Sequence, residues 1–377
     1  MAVAFVVSFL LLTYVYFGYP LLVFLLARLF GRDPERAPIT PSVSLLIPAY
    51  NEEGYVEGKI RNSLTLDYPR EQLEIVVASD GSTDRTNAIV QAHASQGIGL
   101  LAMEANLGKS AMLTRVVPQL RGEIIVFSDT SSELEPQALR RIVQRFHDPR
   151  VGCVSGVYRL KEAGKDLRGE GEGLYWRYEM FIKRQEGRLH SILGAHGAFY
   201  AIRKALFAPL ETTAINDDYL VPMRIVAQGY RAVQESLAVS WERELASMEG
   251  EFARRRRIAA GNCQQVVMLR HLLHPRYGWV ALSFFSHKLL RTLAPLFMVA
   301  MLVATPGLAQ PWQTIMWALQ GLLYGGAVLG YAVQRSGRRV PWLTFPFYFC
   351  LGNLAMLAGI IKYLASGGRP TWERSRQ

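Results

Sequence analysis

The chain has 377 residues, half of them apolar, with a formal net charge of +11 and three cysteines. The cysteines, at positions 153, 263 and 350, are scattered without CxxC spacing, which argues against a disulfide framework and against a zinc site. The positive charge does not indicate a nucleic-acid partner, because the arginines concentrate beside apolar segments, where contact with anionic lipid headgroups explains them more simply.

The first element is an apolar segment over residues 1–30 whose single charged residue is Arg28. It lacks the basic start of a signal peptide, and its apolar stretch is longer than a signal-peptide core. About 17–25 apolar residues cross a bilayer, so we expect a retained membrane helix with a basic flank over residues 1–40. Arg32 and Arg36 in that flank place the following domain in the cytosol by the positive-inside rule.

Residues 41–260 are expected to form a soluble domain in which strands and helices alternate. The strands are predicted over 43–47, 73–78, 99–103 and 123–127. The helices are predicted over 53–64, 83–94, 109–120, 136–146 and 219–227. This alternation is typical of an α/β fold with a mostly parallel sheet and helices on both faces.

Polar segments directly follow three of these strands: PAYNEE at 48–53, SDGSTD at 79–84 and SDTS at 128–131. Ligands bind beyond the carboxyl ends of strands in such sheets, so all three segments should meet at one edge. Asp80 has two interpretations. It is part of a strand–turn–helix joint capped by Ser82 or Thr83, or it accepts hydrogen bonds from a nucleobase or ribose.

The segment NLGKS at 106–110 is not a P-loop, because Met103 stands where that motif requires glycine. Lys109 nevertheless lies at a predicted helix start near the same edge, where an anion would be stabilised. The alternative is a solvated lysine.

Two later segments carry further candidates. Glycines in SILGAHGAFY, at 191–200, allow close approach to a ligand or simply a tight hairpin, and a lone His196 is more often structural. Asp217 and Asp218 stand together at a helix start. Capping explains one of them, and either is a candidate general base.

Four arginines at 254–257 end the soluble domain, and either contact headgroups or clamp a diphosphate. An interfacial amphipathic segment is expected over 261–291, and three membrane helices with a basic tail over 292–377. Arginines at 335, 338 and 339 agree with a cytosolic domain if all three helices cross, whereas those at 369, 374 and 376 disagree. The number of crossings and the side of the tail stay open.

In this order, PAYNEE, SDGSTD, NLGKS, an acid after the fourth strand, GAHGA, NDD and an arginine-rich stretch resemble the family 2 glycosyltransferases. More narrowly, the chain is similar to their membrane-embedded branch, which includes hyaluronan, chitin, cellulose and poly-N-acetylglucosamine synthases. The resemblance implies a GT-A fold, a nucleotide-diphosphate sugar donor, often UDP-linked, inversion at the anomeric carbon, and Mg²⁺ or Mn²⁺ at the diphosphate.

The resemblance also implies roles for individual residues. The residues expected to contact the nucleoside are Ala49, Tyr50, Glu52 and Asp80. The residues expected to contact the diphosphate are Lys109, Arg254 and Arg257. The residues expected to line the acceptor site are Gly194, Ala195, His196, Gly197 and Ala198. Asp218 matches the catalytic base, and Asp129 matches the first acid of the D-x-D metal motif.

The chain departs from the family pattern at three positions. Ser131 replaces the second acid of D-x-D, so Asp129 and Ser131 are interpreted as a modified metal site that holds its ion weakly until the nucleotide sugar arrives. Arg254 and Ile258 replace the glutamine and tryptophan of Q-x-x-R-W. The missing tryptophan argues against processive polymerisation.

The leading hypothesis is a transferase of the cell (inner) membrane that adds sugars to a growing cell-surface polysaccharide or oligosaccharide, with partner subunits for export. A second hypothesis is transfer of one sugar to a lipid-linked or polyprenyl-linked acceptor. A third is an inactive scaffold in an assembly complex, which the missing second acid would favour.

Overall fold

A computed structural model describes residues 1–161, 169–243, 248–336 and 340–367. Within them, eight strands form one mixed sheet with the order β3-β2-β1-β4-β7-β6-β8-β5. The strands are β1 (Val43–Ala49), β2 (Leu73–Ser79), β3 (Ile98–Ala102), β4 (Ile124–Ser128), β5 (Glu133–Leu134), β6 (Val151–Lys161), β7 (Phe199–Arg203) and β8 (Arg231–Arg243).

The first half of the sheet is parallel, and the second half is mixed. β1 pairs in parallel with β2 and β4, and β2 pairs in parallel with β3. β7 runs antiparallel between β4 and β6, β6 pairs in parallel with β8, and β5 is antiparallel to β8. The predicted mostly parallel α/β fold is confirmed, and the four predicted strands are correct to within two residues at each end.

The helices are α1 (Ala2–Thr13), α2 (Tyr19–Phe30), α3 (Val56–Leu64), α4 (Thr86–Ala92), α5 (Lys109–Val116), α6 (Ala138–Val143), α7 (Gly169–Leu189), α8 (Asp217–Ala227), α9 (Met248–Met268), α10 (Trp279–Ser283), α11 (Arg291–Ala304), α12 (Trp312–Arg335) and α13 (Pro341–Ala365). π-helical turns over Tyr14–Gly18 and Phe284–Leu290 join α1 to α2 and α10 to α11. Short 3-10 turns follow α4, α5 and α6.

The chain divides into two compact units. The sheet unit comprises Gly31–Ala163 and Glu186–Glu244, and the helical unit comprises Met1–Phe30, Gly164–Gln185 and Leu245–Gln377. The predicted divisions at residues 40, 260 and 291 remain a proposal about position relative to a membrane.

The core of the sheet unit is built on strands that are buried on both faces. Val43, Leu45 and Ile47 of β1 pack in one apolar cluster with residues of α3, α4 and α6. The alternate residue Leu46 is equally buried, as expected when helices cover both faces of a parallel sheet.

In the helical unit, α1 packs against α11, and α13 packs against α9 and α12. An ion pair lies within this unit: Glu179 of α7 contacts Arg291 at 2.6 Å, and the His287 ring lies 3.3 Å from the same carboxylate. In the described part of the chain, four helical segments are long and apolar enough to cross a membrane: Ala2–Phe30, Trp279–Gly307, Trp312–Arg335 and Pro341–Ala365.

The second of these segments begins at Trp279, well before the predicted start at residue 292, because the π-helical turn lets α10 continue into α11. The last part of the segment predicted as interfacial therefore belongs to this candidate span. The arginines at 338, 339, 369, 374 and 376, on which the predicted topology depends, lie outside the described residues.

Candidate active site

The segments after β1 and β2 meet, as the sequence predicts. Asn51, which adopts φ 53°, accepts a hydrogen bond from the Thr83 amide at 2.8 Å through Oδ1. Its own amide donates to Ser82 Oγ at 3.0 Å. Asparagine tolerates left-handed backbone because its side chain bonds locally. Tyr50 and Glu52, the predicted nucleoside contacts on either side of Asn51, are half-buried.

These contacts also explain a difference in helix starts. The amide of Glu53 donates to Asp84 Oδ2 at 3.1 Å, and the Glu52 amide donates to Thr86 Oγ1 at 2.8 Å. Because the loop residues bond to each other, α3 and α4 each begin three residues later than the hydrophobic spacing predicts.

Asp80 is buried and holds the turn that precedes α5. Its two carboxylate oxygens accept hydrogen bonds from the amides of Leu107 and Gly108 at 2.9 and 2.8 Å. Gly81, at φ 71°, is required because a Cβ there would lie 2.4 Å from the backbone of Ala105. The observed contacts of Asp80 are therefore those of a loop support, and its nucleoside role stays a proposal.

The third segment, after β4, arrives at the same edge. Thr130 Oγ1 donates to the carbonyl of Pro48 at 2.8 Å, which ties the β4 turn to the end of β1. Asp129 is half-buried there, and Ser131 is exposed. The expected convergence of all three segments is confirmed.

Lys109, the first residue of α5, lies between two carboxylates. Its Nζ is 3.2 Å from Asp129 Oδ1 and 3.4 Å from Asp217 Oδ2. Burial opposes the charge, but Asp129, Asp217 and Asp218 outweigh it and hold the pKa of Lys109 above its ordinary value. Lys109 is therefore a permanent cation at this edge, and the alternative of a merely solvated lysine is wrong.

The adjacent acids at the start of α8 have different surroundings. Asp217 is 5% exposed and paired with Lys109. Asp218 is half-buried, and a Cβ added to Gly197 would lie 3.0 Å from its Oδ2. The Asp218 carbonyl accepts a hydrogen bond from the Ala195 amide at 2.8 Å. Of the two candidate bases, Asp218 is the one beside the 194–198 loop and open to solvent.

The 194–198 loop is a tight turn before β7. Gly194 adopts φ 84° and packs closely against Tyr219. His196 donates its amide to Ser155 Oγ at 3.1 Å, and its ring contacts Tyr158 edge-on. Ala198 is buried, and its carbonyl lies near the Ser128 hydroxyl at 3.1 Å. The glycines therefore serve turn geometry and close packing against α8.

The remaining predicted diphosphate contacts lie elsewhere in the chain. Arg254 and Arg257 are on α9, in the helical unit. Their role at the diphosphate stays a proposal.

A divalent ion fits these residues only in part. Among the described residues, no group of three His, Cys, Asp or Glu side chains is arranged to hold a metal. Asp129 offers one carboxylate that already contacts Lys109, and Ser131 offers a hydroxyl. The protein groups alone are too few for a preformed site, so a bound ion would need ligands from the donor diphosphate.

Comparison with known proteins identifies the family of one domain. Residues 44–210 match the family described as Glycosyl transferase family 2. These residues form a family 2 glycosyltransferase domain. They include β1 to β4, the Asp129 turn and the 194–198 loop, and end before Asp218. The predicted family and enzyme class are confirmed for this domain.

Curated relatives match a longer stretch of the chain than this domain. The chain is 28% identical over 243 residues to "Probable glycosyltransferase YdaM" of Bacillus subtilis (strain 168), covering 62% of this chain and 57% of that protein. It is 25% identical over 233 residues to "Poly-beta-1,6-N-acetyl-D-glucosamine synthase" of Staphylococcus aureus (strain MSSA476), covering 60% and 56%. The chain thus spans little more than half the length of these relatives.

A solved structure shows the same fold. The mannosyltransferase PcManGT from Pyrobaculum calidifontis, in complex with GDP-Man and Mn²⁺, has a TM-score of 0.72 and 24% identity, covering 96% of this chain and 99% of that one. The GT-A fold of the glycosyltransferase domain is confirmed.

Sequence reasoning missed one charged residue beneath this edge. Lys59 of α3 is 3% exposed, and its Nζ donates to Ser128 Oγ at 2.6 Å. Burial lowers its pKa to about 7, partly offset by Asp129 and Glu133. A lysine on an amphipathic helix is ordinarily solvated, so the sequence offers no signal that this one points inward.

Proposed function

We propose that this protein transfers a sugar from a nucleotide-diphosphate sugar, UDP-linked, to a growing saccharide acceptor at the membrane, with inversion. The observation that carries the proposal is the contact of Lys109 with both Asp129 and Asp217, next to Asp218. It brings a permanent cation, the first acid of the metal motif and a solvent-open carboxylate to one sheet edge.

In the proposed reaction, the acceptor hydroxyl oxygen attacks the anomeric carbon, and the bond from that carbon to the diphosphate oxygen breaks. Asp218 takes the hydroxyl proton, which is worth about 10²–10⁴ in rate. Lys109 neutralises charge on the leaving diphosphate and needs no reorganisation, because two carboxylates already hold it in place. The 194–198 loop positions the acceptor against Asp218.

A divalent ion, Mg²⁺ or Mn²⁺, would be held by Asp129, Ser131 and the donor diphosphate, and would supply further charge stabilisation at the phosphates. The relative solved with Mn²⁺ supports this choice of cofactor.

The membrane placement is part of the proposal. Four candidate spans and a cluster of basic residues on α9 support a cell-membrane protein whose glycosyltransferase domain faces the cytoplasm. Export of a polymer would then require partner subunits, because the four candidate spans found in the described residues are few for a channel made by one chain.

A second candidate is transfer of a single sugar to a lipid-linked acceptor. It is favoured by an open cavity in the helical unit that is lined by Arg256, Ala358, Ile361 and Lys362. Two cations beside apolar side chains suit the phosphate and acyl chain of a lipid. Ile258, in place of the tryptophan expected of processive enzymes, points the same way.

The deciding experiment is a screen of UDP-sugars and GDP-sugars for nucleotide release by the purified protein in lipid nanodiscs, with Mn²⁺, Mg²⁺ or EDTA. A ladder of oligomers supports polymer synthesis, and a single glycolipid supports the second candidate. Absence of transfer with every donor and metal would favour an inactive scaffold and overturn the proposal.

The metal proposal predicts that Mn²⁺ binds weakly to the protein alone and at least about tenfold more tightly with UDP present, because the diphosphate supplies the missing ligands. Free Mn²⁺ can be measured by electron paramagnetic resonance. The Ser131→Asp variant should bind Mn²⁺ without UDP roughly tenfold more tightly than wild type, since a second carboxylate is restored. Equal Mn²⁺ affinity with and without UDP in wild type would contradict the modified site.

Gly197→Ala should lower turnover by roughly 10- to 100-fold while nucleotide binding is retained, because its Cβ would press on the Asp218 carboxylate. Gly58→Ala is the matched control, since a Cβ there meets nothing within 4 Å. Rates from a nucleotide-release assay and affinities from titration calorimetry separate the two effects. Wild-type turnover in Gly197→Ala would show that the Asp218 carboxylate does not need this position.

A further inference from the structure

Lys59 of α3 directs its ammonium at the turn that follows β4. Its Nζ donates to Ser128 Oγ at 2.6 Å, to the Ser132 carbonyl at 2.8 Å and to Ser132 Oγ at 3.1 Å. An ammonium has three protons, so these acceptors can satisfy all of them. The side chain is therefore fully bonded even though it is buried.

The two serines enclose Asp129 in the chain. The amide of Ser132 donates to the Asp129 carbonyl at 3.2 Å, and Ser132 Oγ lies 2.8 Å from the same carbonyl. Ser128, the last residue of β4, directly precedes Asp129. Because Lys59 donates hydrogen bonds to both serines, it restrains the backbone on either side of Asp129.

The same serines reach the acceptor loop. Ser128 Oγ and Ser132 Oγ lie 3.1 and 3.3 Å from the Ala198 carbonyl, and 2.9 Å from each other. A hydroxyl has one proton but can accept two hydrogen bonds. Because Lys59 donates to both hydroxyl oxygens, the hydroxyl protons are available for the carbonyls of Ala198 and Asp129.

A lysine at this position is costly for folding. Desolvating an ammonium is unfavourable, and an apolar side chain on α3 would fill the space without that penalty. A local choice that opposes stability is expected mainly where function requires it.

We propose that Lys59 is a positioning residue that holds the Asp129 turn and the 194–198 loop in one arrangement, so that the donor side and the acceptor side of the site keep a fixed spacing. The positioning itself stands on the contacts described here, and its importance for catalysis rests on the proposed function.

The test compares Lys59→Met with Asn62→Ala, because Asn62 also connects α3 by hydrogen bonds to the segment that follows β4. Its side chain exchanges hydrogen bonds of 2.9 Å with the backbone of Leu134, beyond the Asp129 turn. Hydrogen exchange is measured on segments 129–133 and 195–199 in the full chain, together with thermal stability and nucleotide release.

Lys59→Met should speed exchange in both segments at least tenfold and lower turnover by about 100-fold, whereas Asn62→Ala should lose stability but keep both protection and turnover. Unchanged protection in Lys59→Met, or the same loss in Asn62→Ala, would overturn the proposal. If Lys59→Met does not fold, the milder Ser132→Ala should still speed exchange in segment 195–199, and unchanged exchange there would overturn the proposal too. A wild-type protein without transferase activity would refute the proposed function, while the exchange measurements would still decide the positioning role.

Discussion

Replacing Asp218 by asparagine is expected to abolish sugar transfer, with a fall in turnover of about 10²–10⁴, while nucleotide-sugar binding is retained. Asparagine has nearly the same shape but cannot accept the proton of the acceptor hydroxyl. The main-chain contact of residue 218 with the Ala195 amide does not involve the side chain, so the loop should stay in place. Turnover is measured by nucleotide release, and donor affinity by titration calorimetry.

The neighbouring acid provides the control. Asp217→Asn removes a buried charge that pairs with Lys109, so it should weaken donor binding and stability more than it affects proton transfer. The assignments of Asp218 as the base and Asp217 as the partner of Lys109 would be reversed by two results together. These are loss of turnover with intact donor binding in Asp217→Asn, and wild-type turnover in Asp218→Asn.

Replacing Lys109 by methionine is expected to weaken nucleotide-sugar binding by at least about tenfold and to destabilise the fold. The diphosphate loses its permanent cation, and Asp217 is left buried without a partner. Removing one partner of a buried polar contact costs about 1–3 kcal/mol. Calorimetry with the nucleotide sugar and thermal unfolding measure the two losses.

A double variant separates binding from folding. Asp217→Asn in the Lys109→Met background removes the unpaired charge and should recover stability, because both partners are then neutral. Donor affinity should stay low. Lys204→Met is a control for loss of a lysine, since Lys204 contacts the Leu120 carbonyl at the other end of β7. Unchanged donor affinity in Lys109→Met would show that the cation serves folding alone.

The sequence predicts the strands of this fold well because β1, β2 and β4 are mostly apolar runs, as expected for a parallel sheet covered on both faces. It predicts the site edge for the same reason, since the position of a strand end fixes where the next residues emerge. Asp129 and Lys109 could thus be placed near one another from the strand pattern, whereas Asp218 is assigned to the site by the family resemblance.

What the sequence could not supply is the direction of individual polar side chains. Asp80 looks like a ligand group but supports the turn at Leu107 and Gly108, and Lys59 looks solvated but is buried under Asp129. Both outcomes depend on partners far away in the chain, which periodicity does not report. The late starts of α3 at Val56 and of α4 at Thr86 have the same origin. Hydrogen bonds between the segments that follow β1 and β2 replace the first predicted turn of each helix.

The helical unit, assembled from three separated parts of the chain, imposes an order on biosynthesis. α1 leaves the ribosome well before its packing partner α11, which begins only at Arg291. At about 5–20 residues per second, roughly 15–60 s pass before α11 follows. During that interval the Tyr14 hydroxyl lacks the Ser286 partner that it contacts in the finished protein at 2.7 Å. The sheet unit, whose last strand ends at Arg243, is therefore fully synthesised before α11. At that stage it is attached to α1, which does not yet have its packing partner.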